Sequence, residues 1–259
     1  RRLKTDKLEG LPKKHEHVIS TPMPSRQAEA YGRALAMKEL SGPEGTLGMI
    51  HALRRISLHP LLLEGGVGSE ELRVEDSARM MATLEVLDRV AEAGEKALVF
   101  LESLDLQDAD QLPLLLKRRY GLARLPMVIN GQVATEARQA RVNDFQRERG
   151  FDVMLLSPKA GGVGLTLTAA NHVVHLSRWW NPAVEDQCSD RVYRIGQTRP
   201  VHIYYPLAVL PDAQEYSFDV QLQQLMDRKR KLAQDLLAPP AFTAEDYKAL
   251  VAGTLRAKV

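Results

Sequence analysis

Hydrophobic and polar residues follow two different periods along this chain, and the changes of period predict the order of its elements. Short apolar runs bounded by turn residues are typical of buried strands, whereas apolar residues three and four apart are typical of helices. The predicted strands are His15–Ser20, Lys96–Leu101, Leu125–Ile129, Asp152–Ser157, His172–Leu176 and Val201–Leu207. The predicted helices are Pro24–Leu40, Thr46–Leu58, Ser77–Ala93, Asp105–Arg119, Thr135–Gln146, Asn181–Gly196, Ala213–Leu237 and a last one that opens at Thr243.

Strands and helices alternate from about Ser77 to Leu207, which is the order expected of an α/β fold with a doubly wound parallel sheet. Two predicted helices precede this region and a long one follows it. The stretch Glu64–Glu75 is Gly-rich and acidic, and it is predicted to be a loop. The pattern therefore predicts one parallel-sheet domain with helical additions on both sides.

Composition adds few constraints to this picture. The 259 residues are 44% hydrophobic and 26% charged, as in an ordinary globular protein with a sizeable core. The net charge of +2 gives no global field that would attract nucleic acid, so any basic surface must be local. The single cysteine, Cys188, excludes an internal disulfide, agrees with a reducing compartment and falls at an apolar helix position, which favours packing over nucleophilic chemistry. No apolar run approaches a membrane span, and no signal peptide is visible.

The predicted helix Asn181–Gly196 carries candidate chemistry. Gln187, Arg191 and Arg194 are four and three residues apart, so they share one helix face. Two guanidinium groups on one rigid face suit a planar, multiply charged oxyanion such as phosphate. A solvated face with an Asp190–Arg194 pair explains the same spacing, and spacing alone leaves the two interpretations equally open.

A glycine cluster follows the predicted strand Asp152–Ser157. Gly161, Gly162 and Gly164 are closely spaced there, and such a loop lets backbone N–H groups approach a phosphate. The spacing is neither a dinucleotide fingerprint nor a Walker A loop. By itself this cluster is a weak signal.

Both stretches resemble motifs of one family. Gln187-x-x-x-Arg191-x-x-Arg194, followed by Ile-Gly-Gln and preceded by Trp-Trp-Asn-Pro, resembles motif VI of the Swi/Snf-type ATPases of helicase superfamily two. Ser157-x-Lys159-Ala-Gly-Gly-Val-Gly-Leu, followed by Ala-Ala-Asn, resembles motif V. The resemblance implies a second, C-terminal RecA-like lobe. The compact motif spacing and the sequence Trp-Trp-Asn-Pro-Ala-Val-Glu are typical of bacterial members.

For ATP, the resemblance implies that Arg191 and Arg194 reach the γ-phosphate held by the other lobe. Gln187, Gly162 and Gly164 would support this ATP site. ATP and Mg²⁺ would be held mainly by the first lobe, because this chain contains neither Gly-x-x-x-x-Gly-Lys-Ser/Thr nor Asp-Glu-x-His. We therefore expect no cofactor in this chain and no hydrolysis by it alone, although the full-length protein should be an ATP hydrolase.

For DNA, the resemblance implies backbone contacts by a small set of residues and a minor-groove contact by one aromatic residue. These residues are Arg138, Ser157, Lys159, Gly161 and, in the minor groove, Trp180. Without the resemblance Arg138 would be a surface arginine, and Thr166 stands where the family frequently has Asn. No metal site is expected, because His172 and His175 should face opposite sides of their strand.

The resemblance also implies the domain boundaries. Residues 1–20 are predicted to be an inter-lobe linker, 21–75 a helical protrusion and loop, 76–210 the RecA-like lobe, and 211–259 a brace helix with a terminal helix. The brace helix carries the basic run Asp227–Lys231, which is either a solvated face or a phosphate contact. The chain opens with Arg1 and not Met, which suggests a piece of a longer protein.

These features predict the C-terminal motor lobe of an ATP-dependent double-stranded DNA translocase. Its expected partners are double-stranded DNA and the N-terminal RecA-like lobe of the same polypeptide, with no membrane. The expected location is cytoplasmic and nucleoid-associated. Three alternatives stay open: an RNA helicase lobe, a degenerate lobe used only for DNA binding or interaction, and a non-motor nucleotide-binding domain.

Overall fold

A computed structural model describes residues 10–41, 45–63, 72–159, 164–235 and 242–256. The strands within these ranges are β1 (Lys14–Pro22), β2 (Lys96–Phe100), β3 (Met127–Ile129), β4 (Asp152–Leu156), β5 (His172–His175) and β6 (Val201–Val209). The helices are α1 (Ser25–Ser41), α2 (Gly45–Leu58), α3 (Ala78–Glu92), α4 (Leu104–Gln107), α5 (Leu112–Tyr120), α6 (Thr135–Arg147), α7 (Pro182–Ser189), α8 (Phe218–Asp235) and α9 (Ala244–Thr254). None of the described helices is long and apolar enough to cross a bilayer.

The described strands form a single six-stranded parallel sheet in the order β1-β6-β5-β2-β4-β3. In its centre, Ala97 of β2 lies beside Val153 of β4 on one side and His172 of β5 on the other. Every residue of β2 and β4 is buried. Strands covered on both faces favour continuous apolar sequences, which is why these two were readable from the sequence. The predicted α/β parallel-sheet fold is confirmed.

The chain divides into two compact units. The first comprises residues 1–17, 85–179 and 183–205. Its core lies on the sheet, where Phe100 and Met154 of the central strands pack with Phe145 of α6 and Val192. Phe145 and Val192 are both fully buried. This core supports the loops that follow β2, β4 and β5.

The second unit comprises residues 18–84, 180–182 and 206–259. Its core joins Ile50 and Leu53 of α2 to Phe218 and Leu222 of α8. Helix α9 has a capping box at Thr243, and its Asp246 lies 2.5 Å from Lys229 of α8. The predicted domain limits remain predictions. Residues 14–20 of the predicted linker lie in β1 and therefore in the sheet. Residues 64–71 of the predicted acidic loop lie outside the described ranges.

The single helix predicted over Asp105–Arg119 is two helices. Helix α4 is capped by the Ser103 hydroxyl, which accepts a hydrogen bond from the Leu106 N–H, and it ends at Gln107. Helix α5 carries Pro113 in its first turn. Proline has no N–H to donate to the preceding turn, so it is accepted at a helix start and interrupts a helix that would run through it. The break leaves Gln107 at the end of a short helix.

Four imidazole rings stack on the strands β1, β5 and β6. The ring centroid of His202 lies 5.0 Å from that of His15 and 5.3 Å from that of His172. His17 Nε2 lies 3.1 Å from His202 Nδ1. His172 Nε2 lies 2.5 Å from a carboxylate oxygen of Glu95. The stack is therefore a set of neighbouring titratable groups held by the sheet.

Burial, acting with neighbouring positive charges, lowers the pKa of three of these histidines. It is the largest cause for His17, His172 and His202 alike, and the other imidazoles of the stack lower the pKa of His17 and His202 further. Arg89 adds to the effect on His17 and Arg199 to that on His172, where Glu95 opposes it. The folded chain therefore binds fewer protons than the unfolded chain just below the unperturbed pKa of 6.5.

We expect these histidines to make their whole contribution to the free energy of unfolding above about pH 6.5. The free energy of unfolding should fall as the pH decreases below that value, because the unfolded state then binds more protons than the folded state. Urea unfolding at pH 7.5 and 5.5 measures this loss. His202→Phe keeps a ring in the stack but removes a titrating group, so its loss should be smaller. His51→Gln, at an exposed position of α2, should lose as much as the unaltered chain. Equal losses in the His202 variant and the unaltered chain would contradict the prediction.

Candidate functional site

The segment that carries the predicted phosphate-binding arginines is not one helix. Helix α7 begins at Pro182 as predicted but ends at Ser189, and a series of turns follows. The prediction that Arg191 and Arg194 share a helix face is therefore wrong. Val192 is fully buried while Ile195 is 74% exposed, so an apolar helical stripe does not continue through both positions. Gly196, with φ 100°, lies in these turns.

Arg191 is the most unusual side chain of this segment. Its side chain is buried, with 6% exposure, and its Nε and Nη2 atoms have no hydrogen-bond partner among the described residues. Its backbone is fixed, because its carbonyl accepts from Leu167 N–H at 3.0 Å and its N–H donates to Cys188 O at 3.2 Å. Burial lowers the pKa of Arg191, and the neighbouring charge of Arg194 adds to this effect. Arginine still stays protonated, so Arg191 is a buried cation whose Nε and Nη2 meet no acceptor within the described part of the chain.

Arg194 and Gln187 differ from Arg191 in their surroundings. Both side chains are exposed, Gln187 on α7 and Arg194 in the turns beyond it. The Arg194 carbonyl accepts from Gln197 N–H at 2.9 Å, and Gln197 in turn donates through its side chain to Ala170 O at 2.7 Å. The structure thus offers one buried and one solvent-facing arginine on a segment tied to the loop before β5.

A buried ion pair anchors the start of α7, and sequence reasoning missed it. Arg178 Nε donates to Glu185 Oε1 at 2.8 Å, and Arg178 Nη2 donates to Glu185 Oε2 at 3.2 Å. Both side chains are 1% exposed, and the guanidinium lies over the Tyr205 ring. Glu185 also accepts from the Trp179 N–H at 3.0 Å. The available signal was an acid in the first turn of α7, but the sequence does not show which distant arginine it would meet.

The glycine loop is described only at its two ends. Gly161 and Gly162 lie outside the described residues. Gly164 is exposed with φ 20°, and an added Cβ would meet no atom of the described residues within 4 Å, so their packing does not require glycine there. With Thr166 and residues of α6, Gly164 lines a cleft of about 440 Å³. At the other described end of the loop, before residues 160–163, Lys159 is exposed and its ammonium group lies 5.6 Å from the Trp179 ring centroid.

Two predicted DNA contacts lie at the carboxyl ends of neighbouring strands. Ser157 directly follows β4, and its hydroxyl accepts from Gln107 Nε2 at 3.1 Å. Arg138, on α6, donates through Nη2 to Val133 O at 3.0 Å and to Asn130 O at 3.4 Å. Both side chains are half-buried. The structure therefore connects these two positions through the turn that follows β3.

Trp180 belongs to the second compact unit. Its ring makes edge contacts with Phe218, at a centroid distance of 5.9 Å, and with Phe242, at 5.2 Å. The Arg54 guanidinium lies 5.2 Å from the Trp180 ring centroid. The side chain is half-buried. These contacts fix the ring, and its predicted role in the DNA minor groove remains a prediction.

The remaining predictions about chemistry concern the thiol of Cys188 and a metal site at the two histidines of β5. Burial raises the pKa of the Cys188 thiol to about 12, in accordance with its assignment to the core. His172 stacks with His202, whereas His175 stacks with Phe100 and donates or accepts at Ser189 Oγ, so the two β5 histidines do face opposite sides. Among the described residues, no three His, Cys, Asp or Glu side chains are grouped so that they could hold a metal ion.

The parallel sheet, the loops at its carboxyl edge and the arginine segment after β5 define a class of protein. Residues 79–196 match the helicase conserved C-terminal domain. The chain is 37% identical to the Zorya protein ZorD of Escherichia coli over 216 residues, which cover 81% of this chain and 19% of ZorD. It is 35% identical to YwqA of Bacillus subtilis over 75% of this chain and 21% of that protein. The name of YwqA assigns it, provisionally, an ATP-dependent helicase/translocase activity.

The solved structures identify the family more closely. The SWI2/SNF2 ATPase core of Sulfolobus solfataricus, solved in complex with double-stranded DNA, superimposes with a TM-score of 0.69 at 27% identity. The match covers 92% of this chain and 50% of that one. This chain belongs to the Swi/Snf-type ATPases of the helicase superfamily, and it corresponds to their RecA-like C-terminal lobe. It spans about a fifth of the length of the two bacterial relatives.

Proposed function

We propose that this chain is the C-terminal motor lobe of an ATP-dependent double-stranded DNA translocase. In this role it supplies Arg191 and Arg194 to ATP that is held mainly by the N-terminal RecA-like lobe of the same polypeptide. It also supplies contacts to the DNA backbone. The relatives that bear the words helicase, translocase and SWI2/SNF2 ATPase support this proposal, as does the complex of one of them with double-stranded DNA.

The observation that carries the proposal is the buried guanidinium of Arg191. Unsatisfied donors on a buried charged group are unfavourable, and an acceptor that arrives during function is one explanation for such a group. A phosphate oxygen is the acceptor that fits a planar guanidinium best. Hydrolysis in this class uses such arginines to stabilise the charge that develops on the transferred phosphoryl group. Arg194, exposed and three residues further on, would add a second positive charge in this proposal.

ATP supplies the phosphoryl group and Mg²⁺ neutralises part of its charge when both are bound. The residues of this chain that would support the nucleotide are Gln187, Gly162, Gly164 and the two arginines. The described residues offer no group of carboxylates for Mg²⁺, so we assign the metal and the phosphate cradle to the N-terminal lobe. Arg191 would hold the γ-phosphate, and the Arg178–Glu185 pair anchors the start of α7, which leads into the segment that carries Arg191.

The proposed DNA contacts are Arg138, Ser157, Lys159, Gly161 and Trp180. All but the last are of a kind that meets phosphate, which makes binding independent of sequence and sensitive to salt. Location at the nucleoid in the cytoplasm follows from this proposal. Arg138 and Ser157 at the carboxyl edge of the sheet are consistent with it, because ligands of parallel α/β folds bind at that edge.

This chain alone is expected to show no ATP hydrolysis above background, with or without duplex DNA, because the phosphate cradle lies elsewhere. The two-lobed parent should hydrolyse ATP and be stimulated by double-stranded DNA. Steady-state phosphate release by both proteins, with removal of contaminating ATPases confirmed by an Arg191→Ala preparation, measures the difference.

Turnover by this chain alone would contradict the division of labour between the lobes. Stimulation of the parent by duplex RNA in preference to duplex DNA would favour an RNA helicase. Binding of DNA by a parent that lacks all turnover would favour a DNA-binding or interaction module.

A further inference from the structure

Two buried side-chain amides connect the carboxyl ends of β2, β3 and β4. Gln107 at the end of α4 is 4% exposed, and Asn130 directly after β3 is 7% exposed. Gln107 Nε2 donates to Leu101 O, just beyond β2, at 2.6 Å and to Ser157 Oγ, just beyond β4, at 3.1 Å. Asn130 Nδ2 donates to Gln107 Oε1 at 3.0 Å. The hydrogen-bonding atoms of Gln107 are therefore shared among the ends of three strands.

Backbone groups fix the orientation of both amides. Leu101 O can only accept, so the Gln107 NH₂ group must face it and Gln107 Oε1 must face Asn130. At the other end, the Gln132 N–H can only donate, and it donates to Asn130 Oδ1 at 3.0 Å. Neither amide can flip without breaking a hydrogen bond to the backbone. The direction of each hydrogen bond in the series that links Gln132, Asn130, Gln107 and Ser157 is thus determined.

This direction decides what the Ser157 hydroxyl can do. A hydroxyl has one proton to donate, and here its oxygen already accepts from Gln107. The O–H proton therefore points away from Gln107 and is available to an incoming acceptor. The backbone of Ser157 is held as well, because its N–H donates to Ile129 O at 2.9 Å. The serine is prepared as a donor, which is the role needed at an anionic phosphate oxygen.

The turn after β3, from Asn130 to Val133, also binds the guanidinium of Arg138. Arg138 Nη2 donates to Asn130 O and Val133 O, the two ends of the turn after β3. Asn130 Oδ1 closes that turn through Gln132 N–H. The amide pair thus connects a neutral donor, Ser157, with a guanidinium, Arg138, through hydrogen bonds within the first compact unit.

We propose that Gln107 and Asn130 are positioning residues for one phosphate group of the DNA backbone. They hold the Ser157 hydroxyl as a donor and shape the turn that carries Arg138. The inference rests on the proposed function, because it requires DNA to bind at this edge of the sheet. It adds to that function a buried pair that touches no DNA and sets the geometry of two contacts.

The test uses the two-lobed parent and a labelled DNA duplex of mixed sequence. Gln107→Met keeps the length of the side chain but cannot donate to Ser157. Its duplex affinity should fall about five- to tenfold, because one hydrogen bond to a charged group loses its orientation. The KM for ATP and the turnover at saturating DNA should stay within about twofold, since Arg191 is untouched. Ser157→Ala should weaken DNA binding by a similar factor.

The decisive measurement is the double variant. If Gln107 acts through Ser157, then Gln107→Met should cost little further affinity in a Ser157→Ala background. Gln27→Leu is the matched control, because Gln27 is a buried amide of the second unit that donates to Ile56 O and accepts from Ala78 N–H. It should lower the melting temperature without changing duplex affinity. If Gln107→Met does not fold, Asn130→Ser replaces it, since serine can close the turn but is too short to reach Gln107.

Several outcomes would overturn the inference. One is the same loss of affinity from Gln107→Met in both backgrounds, and another is no loss where Ser157→Ala does weaken binding. A parent that is stimulated by duplex DNA but indifferent to Ser157→Ala would overturn the inference and leave the proposed function intact. A parent that duplex DNA does not stimulate would overturn the proposed function and this inference with it.

Discussion

Replacing Arg191 with Ala in the two-lobed parent is expected to lower DNA-stimulated ATP turnover by about 10³-fold, the lower end of the range known for arginine fingers. The lower end is appropriate because Arg194 supplies a second positive charge. The melting temperature should stay the same or rise. The guanidinium of Arg191 is buried with two nitrogens unsatisfied among the described residues, so its removal relieves a cost in the unliganded protein.

This combination separates a role in turnover from a role in folding. A structural arginine would lower the melting temperature when removed, whereas Arg191 should lower only turnover. Arg191→Lys should recover little, because an ammonium group cannot make the planar two-point contact. Arg194→Ala should also reduce turnover strongly. Arg118→Ala, at an exposed position of α5, should leave it unchanged.

Steady-state kinetics, a thermal melt and duplex binding without ATP would be measured on the same preparations. Duplex affinity should change little in the Arg191 variant, because this residue is assigned to ATP. Near-normal turnover of Arg191→Ala would contradict the proposed function at its centre. Unfolding of the variant would show instead that this guanidinium stabilises the lobe.

The arginine segment shows how far sequence reasoning could go. The start of α7 followed from Asn181 and Pro182, a capping residue and a proline where its missing N–H has no cost. The end did not, because the residues after Ser189 keep a helical spacing of apolar side chains. Tertiary bonds prevailed there: the Arg191 carbonyl accepts from Leu167 N–H and is therefore not used within a helix. Residue types identified the arginines, but only the structure could show that one is buried.

The strands were predictable for a different reason. Strands β2 and β4 are covered on both faces, so after an opening charged residue, Lys96 or Asp152, their sequences are apolar. Strand β1 was predicted shorter than it is, because its residues are exposed or half-buried in alternation and its ends look like loop. Boundaries at edges depend on hydrogen bonds to a neighbour, such as Met23 N–H to Val209 O. No local pattern encodes such a distant partner.

Long-range polar pairs, in the candidate site and elsewhere, are what the sequence could not show. Gln107 and Ser157 are fifty positions apart, and Arg79 and Asp219 are 140 apart. Each of these residues alone resembles an ordinary helix or loop residue. Their pairing depends on which strand ends and helices the fold brings together, so only the structure reveals which of them bond to one another.

Asp219→Ala is expected to destabilise the second compact unit by about 3–5 kcal/mol, the cost of leaving one partner of a buried ion pair uncompensated. Asp219 accepts from Arg79 Nε at 2.6 Å and from Arg79 Nη2 at 2.5 Å, and both side chains are at most 1% exposed. Its carboxylate also accepts from Ala208 N–H at 2.7 Å. The alanine variant therefore removes a carboxylate that serves both a buried cation and a buried backbone donor.

Urea unfolding of this chain, followed by circular dichroism, measures the effect. Glu75→Ala is the matched control, because the Arg73–Glu75 pair is solvent-exposed and should contribute little. The double variant Arg79→Met, Asp219→Asn removes the buried charge and keeps an oxygen for Ala208 N–H. It should recover a large part of the lost stability, since a buried pair replaced on both sides by uncharged groups is often close to neutral. A loss below about 1 kcal/mol in Asp219→Ala, or a double variant no more stable than that single one, would show that loss of the carboxylate opposite the buried Arg79 charge is not what destabilises the unit.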